Sequence, residues 1–146
     1  MIPAVSFHET TISYNGHPAV DAVSFEVAEG EWLAVVGPNG AGKSSLLRSL
    51  VGGTMSGGSA SLRGNDVASL RARDRAHHVA YVPQRPVFPV GMSVIDYVLL
   101  GRTPHLGPLA AESKADIEIV RDALAELDLV ALAERDVSSL SGGETQ

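Results

Sequence analysis

The sequence predicts an α/β protein: a small antiparallel sheet, a core of parallel strands, and then a helical part. Three observations predict it: period-two alternation within residues 5–27, an apolar run at 32–36 that enters a glycine-rich loop, and helical periodicity after residue 93. Its 146 residues are enough to bury a core. We expect the sheet and core to occupy 1–84 and the helical subdomain 85–146.

The early strands are predicted from alternation of apolar and polar residues in 5–7 and 23–27. Asn15-Gly16 is a turn signal between them, and Gly30 closes the region. This pattern favours half-buried antiparallel strands.

The core is predicted from Trp32–Val36, an unbroken apolar run that suits a strand buried on both faces of a parallel sheet. A glycine-rich loop follows, then a helix over Ser45–Val51 that ends at Gly52-Gly53. Val79–Val82 is a second apolar strand of this kind. Strand, loop and helix in this order form half of a βαβ unit.

Shorter elements complete the prediction. We expect a strand at Ala60–Leu62, a short helix around Ser69–Ala76, and a helix start at Ser93, with Asp96 three residues further on. A further helix is predicted from apolar residues at helical spacing: Ile117, Val120, Leu124 and Leu127.

Composition excludes several classes of protein. The formal net charge is −6 without a basic run, which argues against a bare nucleic-acid binder. With no cysteine, neither a disulfide framework nor a thiolate metal site can form. No apolar run approaches the roughly 20 residues that span a bilayer, and the first residues do not resemble a signal peptide. We therefore expect no direct membrane insertion.

A phosphate-binding motif follows the first core strand. It matches G-x-x-x-x-G-K-[ST] at every fixed position: Gly37, Pro38, Asn39, Gly40, Ala41, Gly42, Lys43 and Ser44. Glycines let backbone N–H groups approach phosphate oxygens, and the helix N-terminus attracts the same anion. Lys43 adds a mobile charge, and Ser44 offers a hydroxyl to Mg²⁺. The motif is typical of P-loop NTPases.

A second motif is the pentapeptide Leu140-Ser141-Gly142-Gly143-Glu144. Alone, it is consistent with an ordinary helix N-cap loop. Together with the phosphate loop it resembles the ABC ATPase family closely, since LSGGE is that family's signature sequence. The resemblance runs through the whole chain in the family's order.

The resemblance implies ATP and Mg²⁺ as cofactors. Tyr14 stands where the family places an aromatic ring on adenine, and Gln84 resembles the glutamine of the family's Q-loop. Lys43 and Gln84 are the residues implied for catalysis, and Ser44 and Gln84 those for Mg²⁺. The implied nucleotide-binding residues are Tyr14, Gly37, Pro38, Asn39, Gly40, Ala41, Gly42, Lys43, Ser44, Ser45, Ser141, Gly142 and Gly143.

The segments Phe88–Val94 and Leu99–Gly107 resemble importer ATPases for iron-siderophore, haem or cobalamin complexes, with zinc and manganese importers similar. His105 lies there, but a single histidine is more often structural than a metal ligand. The family implies transmembrane permease subunits, a second ATP-binding subunit, and a cytoplasmic place on the inner face of the membrane.

The chain departs from the family after the signature. The sequence stops at Gln146 without the strand that ends in an aspartate and the catalytic glutamate; Glu134 and Asp136 precede the signature and cannot take that role. We therefore expect a piece of a longer ATPase, inactive in hydrolysis as it stands. A natural truncation that only binds ATP is one alternative, and a soluble ABC protein is another.

Overall fold

The computed structural model describes residues 2–84, 86–107 and 109–144. The chain forms two compact units that divide between Tyr81 and Val82, called here the first and the second unit. The boundary predicted at 84/85 stays a prediction. Arg85 and Gln146, the ends of the predicted helical subdomain, lie outside the described residues.

The first unit is built on a four-stranded antiparallel sheet. Its strands are β1 (Val5–Tyr14), β2 (His17–Val27), β3 (Gly57–Leu62) and β4 (Asn65–Asp66), in the order β2-β1-β3-β4. Asn15 and Gly16 form the two-residue turn between β1 and β2, with φ of 51° and 80°. Positive φ at both positions is what the predicted tight hairpin requires.

Two helices belong to the first unit, α1 (Lys43–Ser49) and α2 (Ala72–Ala76). The sheet and α1 bury one apolar cluster: Phe7, Ile12, Val20, Leu46, Leu50, Ala60, Leu62 and Val67. The rings of Phe7 and Phe25, paired across β1 and β2, have centroids 4.9 Å apart. The helix predicted over Ser45–Val51 is confirmed as α1, which begins two residues earlier than expected. The strand predicted at Ala60–Leu62 is confirmed within β3.

Two predicted core strands are not formed. Trp32–Val36 is irregular, with Trp32 99% and Val36 85% exposed. Val79–Val82 is also irregular, and Val82 is 85% exposed. An apolar run becomes a strand only when a neighbouring strand takes up its backbone hydrogen bonds. Within the described ranges the sheet is antiparallel throughout and pairs with neither segment, so the prediction of strands there is wrong.

The second unit is helical, as predicted. It contains α3 (Val94–Leu99) and α4 (Lys114–Glu126), with 3₁₀ turns at Leu100–His105, Val130–Leu132 and Val137–Ser139. Its buried cluster is Val94, Val120, Leu124 and Val137.

The predicted start of α3 is confirmed, because the Asp96 amide donates to Ser93 Oγ at 3.2 Å. Leu127 differs from expectation: it is 68% exposed, because α4 ends one residue before it.

Candidate nucleotide-binding site

The predicted phosphate loop, residues 37–42, runs into the N-terminus of α1. Gly42 is the N-cap residue of that helix, with φ 80° and no side-chain cap. A Cβ atom at Gly42 would overlap the carbonyl oxygen of Ala19 and lie 2.8 Å from Val20 Cγ2. Strand β2 therefore seats the loop through backbone contact, which only glycine permits.

Lys43 is the first residue of α1, and its side chain folds back over the loop. Its Nζ donates to the carbonyl oxygens of Gly37 and Pro38, each at 2.7 Å. An ammonium has three N–H donors, so these bonds hold it in place without using its full capacity. The Lys43 side chain thus lies against the backbone of the loop, and its role toward phosphate stays a prediction.

The N-terminus of α1 suits an anion. Its first turn contains no acidic residue, and Gly42 has no side chain that would compete for the first amide groups. The positive end of the helix and these amide groups therefore add to the charge of Lys43. The residues of the motif thus fit a polyphosphate.

The exposed Ser44, at the second position of α1, is the predicted protein ligand for Mg²⁺. Among the described residues there is no group of three or more His, Asp or Glu side chains that could hold a metal. Magnesium usually keeps several waters and takes few protein ligands beside phosphates. A single hydroxyl beside a phosphate site fits that habit.

Tyr14, the last residue of β1, lies beside the same helix start. Its hydroxyl donates to Ser45 Oγ at 3.3 Å, and the residue remains 56% exposed. The structure thus places an exposed aromatic ring beside the start of α1; the role of Tyr14 on adenine stays a prediction.

The other predicted residues lie in the second unit. Gln84 is exposed in a bend at the start of that unit. Ser141 and Glu144 bond reciprocally: the Ser141 amide donates to Glu144 Oε2 at 2.7 Å, and the Glu144 amide to Ser141 Oγ at 3.4 Å. This is the capping box, so the turn at Gly142 and Gly143 has the geometry of a helix start.

Glu144 is held as a carboxylate. The hydrogen bond with the Ser141 side chain is the largest cause that places the pKa of Glu144 below its ordinary value, and the bond with the Ser141 backbone is the second. Arg135 Nη1 lies 3.8 Å from Glu144 Oε1 and lowers that pKa further.

Sequence reasoning missed Ala19, because its contribution is a backbone oxygen and no side-chain pattern reports it. It also missed Arg48 on α1, whose Nε donates to the Tyr81 hydroxyl at 3.4 Å. That bond is the main reason that the pKa of Arg48 is raised. The spacing between Arg48 and Tyr81 gives no sequence signal, since 33 residues separate them.

A profile of the ABC transporter family matches residues 20–146. The manganese transport system ATP-binding protein MntB of Bacillus subtilis is 36% identical; the match covers 97% of this chain and 56% of that protein. The hemin import ATP-binding protein HmuV of Gloeobacter violaceus is 44% identical, over 90% of this chain and 47% of the relative. The petrobactin import ATP-binding protein FpuD of Bacillus anthracis is 36% identical, over 100% and 54%.

Solved structures give the same picture. An inward-facing ABC transporter assigned to the metal-chelate type matches with a TM-score of 0.77 at 31% identity, over 99% of this chain and 52% of that one. An ATP-binding subunit of an ABC transporter matches with a TM-score of 0.80 at 24% identity, over 96% and 57%, and shows the fold alone. The chain spans about half the length of the curated relatives it matches. No helix among its described residues is long and apolar enough to cross a membrane.

Proposed function

Since the chain belongs to the ABC transporter family, we propose that it forms the ATP-binding part of an ATPase subunit that drives the import of a metal chelate. The observation that supports this most directly is the phosphate loop. Lys43 is tied to the carbonyls of Gly37 and Pro38 at the uncapped start of α1. Charge, amide groups and helix dipole converge there, which is the arrangement that polyphosphate binding requires.

In this proposal each residue has a separate task. Lys43 holds the outer phosphates of ATP, and Tyr14 stacks on the adenine with its exposed ring. Ser44 contributes a hydroxyl to Mg²⁺, which when bound neutralises phosphate charge. Gln84 touches the region of Mg²⁺ and the attacking water and links it to the permease. The turn after Ser141 caps the nucleotide held by a second subunit.

Hydrolysis needs a further group beside those assigned above. A water that attacks a phosphoryl group must be positioned by a carboxylate or an equivalent residue. None of the residues assigned above is a carboxylate with that task. We propose that the remainder of a longer polypeptide supplies it; a module that binds ATP without turnover is the alternative, and measured turnover separates the two.

The cargo that we propose is an iron-siderophore, haem or cobalamin complex. Relatives named for hemin and petrobactin import support a chelate, and the relative named for manganese transport supports a bare metal ion as the alternative. The partners would be transmembrane permease subunits and a second copy of the ATP-binding subunit. The protein would then lie on the cytoplasmic face of the membrane, and co-purification with a permease would separate this proposal from a soluble ABC protein.

The first test compares the two lysines of the chain, Lys43 and Lys114. Each occupies the first position of a helix; Lys43 bonds to the phosphate loop of the first unit, and Lys114 belongs to the second unit. The test uses the natural polypeptide at the length that its source cell produces. There, Lys43→Ala should weaken ATP binding about 100-fold, because the phosphates lose a charged hydrogen-bonding partner. Lys114→Ala should leave the Kd within about twofold. Equal affinities for wild type and Lys43→Ala by calorimetry would reject the assignment.

A further inference from the structure

Two segments of the second unit lie side by side. One follows Gln84, and the other leads directly into the signature at Ser141. Three backbone hydrogen bonds, each of 2.9 Å, join them: Val94 N to Arg135 O, Ile95 N to Ala133 O, and Val137 N to Met92 O. Backbone hydrogen bonds therefore join residues 91–95 to residues 133–137, and we call this pair of segments the clamp.

Asp136 adds a side-chain bond to the clamp. Its Oδ2 accepts from the Gly91 amide at 2.9 Å. Its Oδ1 accepts from the Ser138 amide at 2.8 Å and from Ser138 Oγ at 2.5 Å. One carboxylate thus bridges the loop after Gln84 and the turn before the signature, using both oxygens as acceptors.

The clamp is anchored in the core of its unit. Val137 is 3% exposed and belongs to the cluster with Val94, Val120 and Leu124. Leu140, the residue before Ser141, packs against the same cluster. A displacement of the loop at Gly91 would therefore be passed along a short, hydrogen-bonded path to the signature instead of being absorbed by a slack connection.

We propose that Asp136 is a positioning residue that couples the segment 88–93 to the signature turn at Ser141. The inference rests on the proposed function, in which the signature turn caps a nucleotide and a permease is the partner of the ATP-binding subunit. Hydrogen bonds from Ser138, those of its side chain first, hold the pKa of Asp136 below its ordinary value, so the acceptor stays charged at neutral pH. Neither Asp136 nor Gly91 touches the nucleotide in this account.

The choice of variant follows from the donors. The backbone amides of Gly91 and Ser138 can only donate, and they bond to different oxygens of Asp136. Asparagine has one acceptor oxygen and one donor nitrogen, so Asp136→Asn can satisfy one side but not both. A matched control is Asp96→Asn: Asp96 Oδ2 accepts from Ser93 Oγ at 2.6 Å, also at a helix start of the second unit, but this bond does not join the two segments of the clamp.

The first experiment is amide hydrogen exchange of the natural polypeptide without nucleotide. In Asp136→Asn, exchange at Gly91 and at residues 138–144 should become about tenfold faster, because a charge-assisted bond is lost. In Asp96→Asn, any increase should stay at the start of α3. Unchanged exchange at the signature in Asp136→Asn, or an equal increase in the control, would overturn the positioning role whatever the protein does with ATP.

The second experiment measures ATP turnover with the co-purified permease. Asp136→Asn should lower the permease-stimulated kcat severalfold while the KM for ATP, set by the phosphate loop, stays within about twofold. A kcat equal to wild type despite faster exchange at the signature would refute the coupling. Absence of turnover in the wild type would instead contradict the proposed function, and the exchange result would still decide whether Asp136 positions the signature.

Discussion

The N-termini of α1 and α4 begin with the same residue type and are built for opposite purposes. Both helices have lysine at the first position, Lys43 in α1 and Lys114 in α4. The N-cap of α4 is Ser113, which forms a capping box with Asp116. The N-cap of α1 is Gly42, without a side-chain cap or an acid in the first turn. A helix start whose first amide groups have no side-chain acceptor can bind an anion, and we call it an open end. A helix start whose amide groups are capped by side chains stabilises the helix, and we call it a closed end.

The closed end at α4 is reinforced by an ion pair. Arg102 Nε donates to Asp116 Oδ1 at 2.9 Å, and Asp116 Oδ2 accepts from Ser113 Oγ at 2.6 Å. The side chains of Arg102 and Asp116 are only 22% and 11% exposed. The 3₁₀ turn Leu100–His105, which contains Arg102, is thereby bonded to the start of α4. The same acid at the third position of α1 would repel a phosphate; there the chain has Ser45.

The largest effect on the free energy of unfolding is expected at Gly42, the N-cap of α1, which lies against strand β2. Gly42→Ala introduces a Cβ atom into the carbonyl of Ala19 and forces alanine into φ 80°. We expect a loss of about 2–5 kcal/mol in the free energy of unfolding, from overpacking and left-handed backbone together. Urea denaturation of the natural polypeptide measures it.

Gly40→Ala is the matched control for that loss. Gly40 also has positive φ, 85°, but a Cβ there meets nothing within 4 Å. It should cost only about 1 kcal/mol, the backbone part alone. Equal losses for the two variants would show that contact with Ala19 does not seat the loop.

The next effect tests whether an open end is what binds ATP. Ser45→Asp places at the third position of α1 the acid that α4 has at the same position. The helix itself should gain a few tenths of a kcal/mol to about 1 kcal/mol, since an acid suits a helix N-terminus. ATP affinity should nevertheless fall about tenfold or more, because the carboxylate repels phosphate and competes for the same amide groups.

Ser45→Ala separates charge from contact in that experiment. It removes only the exposed bond from Tyr14, so its Kd should change less than about threefold. Calorimetric titration with ATP compares the wild type with the two variants. If Ser45→Asp binds ATP as tightly as Ser45→Ala, the contrast between open and closed helix ends is contradicted.

The sequence was most informative where a local pattern decides the structure. The Asn15-Gly16 turn, the Ser93 cap and the loop before Lys43 are specified by adjacent residues. Trp32–Val36 shows the limit, since a strand depends on partners that the run itself does not encode. The clamp at Asp136 was also invisible, because Gly91 is 45 residues away and contributes only a backbone amide.

The smallest effect is the pH dependence of the unfolding free energy that Asp116 causes at the closed end of α4. Hydrogen bonds from Ser113, those of its side chain first, and then from Arg102 lower the pKa of Asp116 from 3.8 to about 2. Because the folded pKa lies below the unfolded one, this carboxylate stabilises the fold fully above about pH 4, and the contribution is lost as pH falls through about 2. The difference in unfolding free energy between wild type and Asp116→Asn should therefore be constant from about pH 7 to about 4 and shrink below it. Denaturation series at several pH values measure that difference.

A difference that stays constant down to about pH 2 would mean that the uncharged acid stabilises α4 as well as the carboxylate does. The contrast with α1 would then lie in the cap geometry of Ser113 and not in charge.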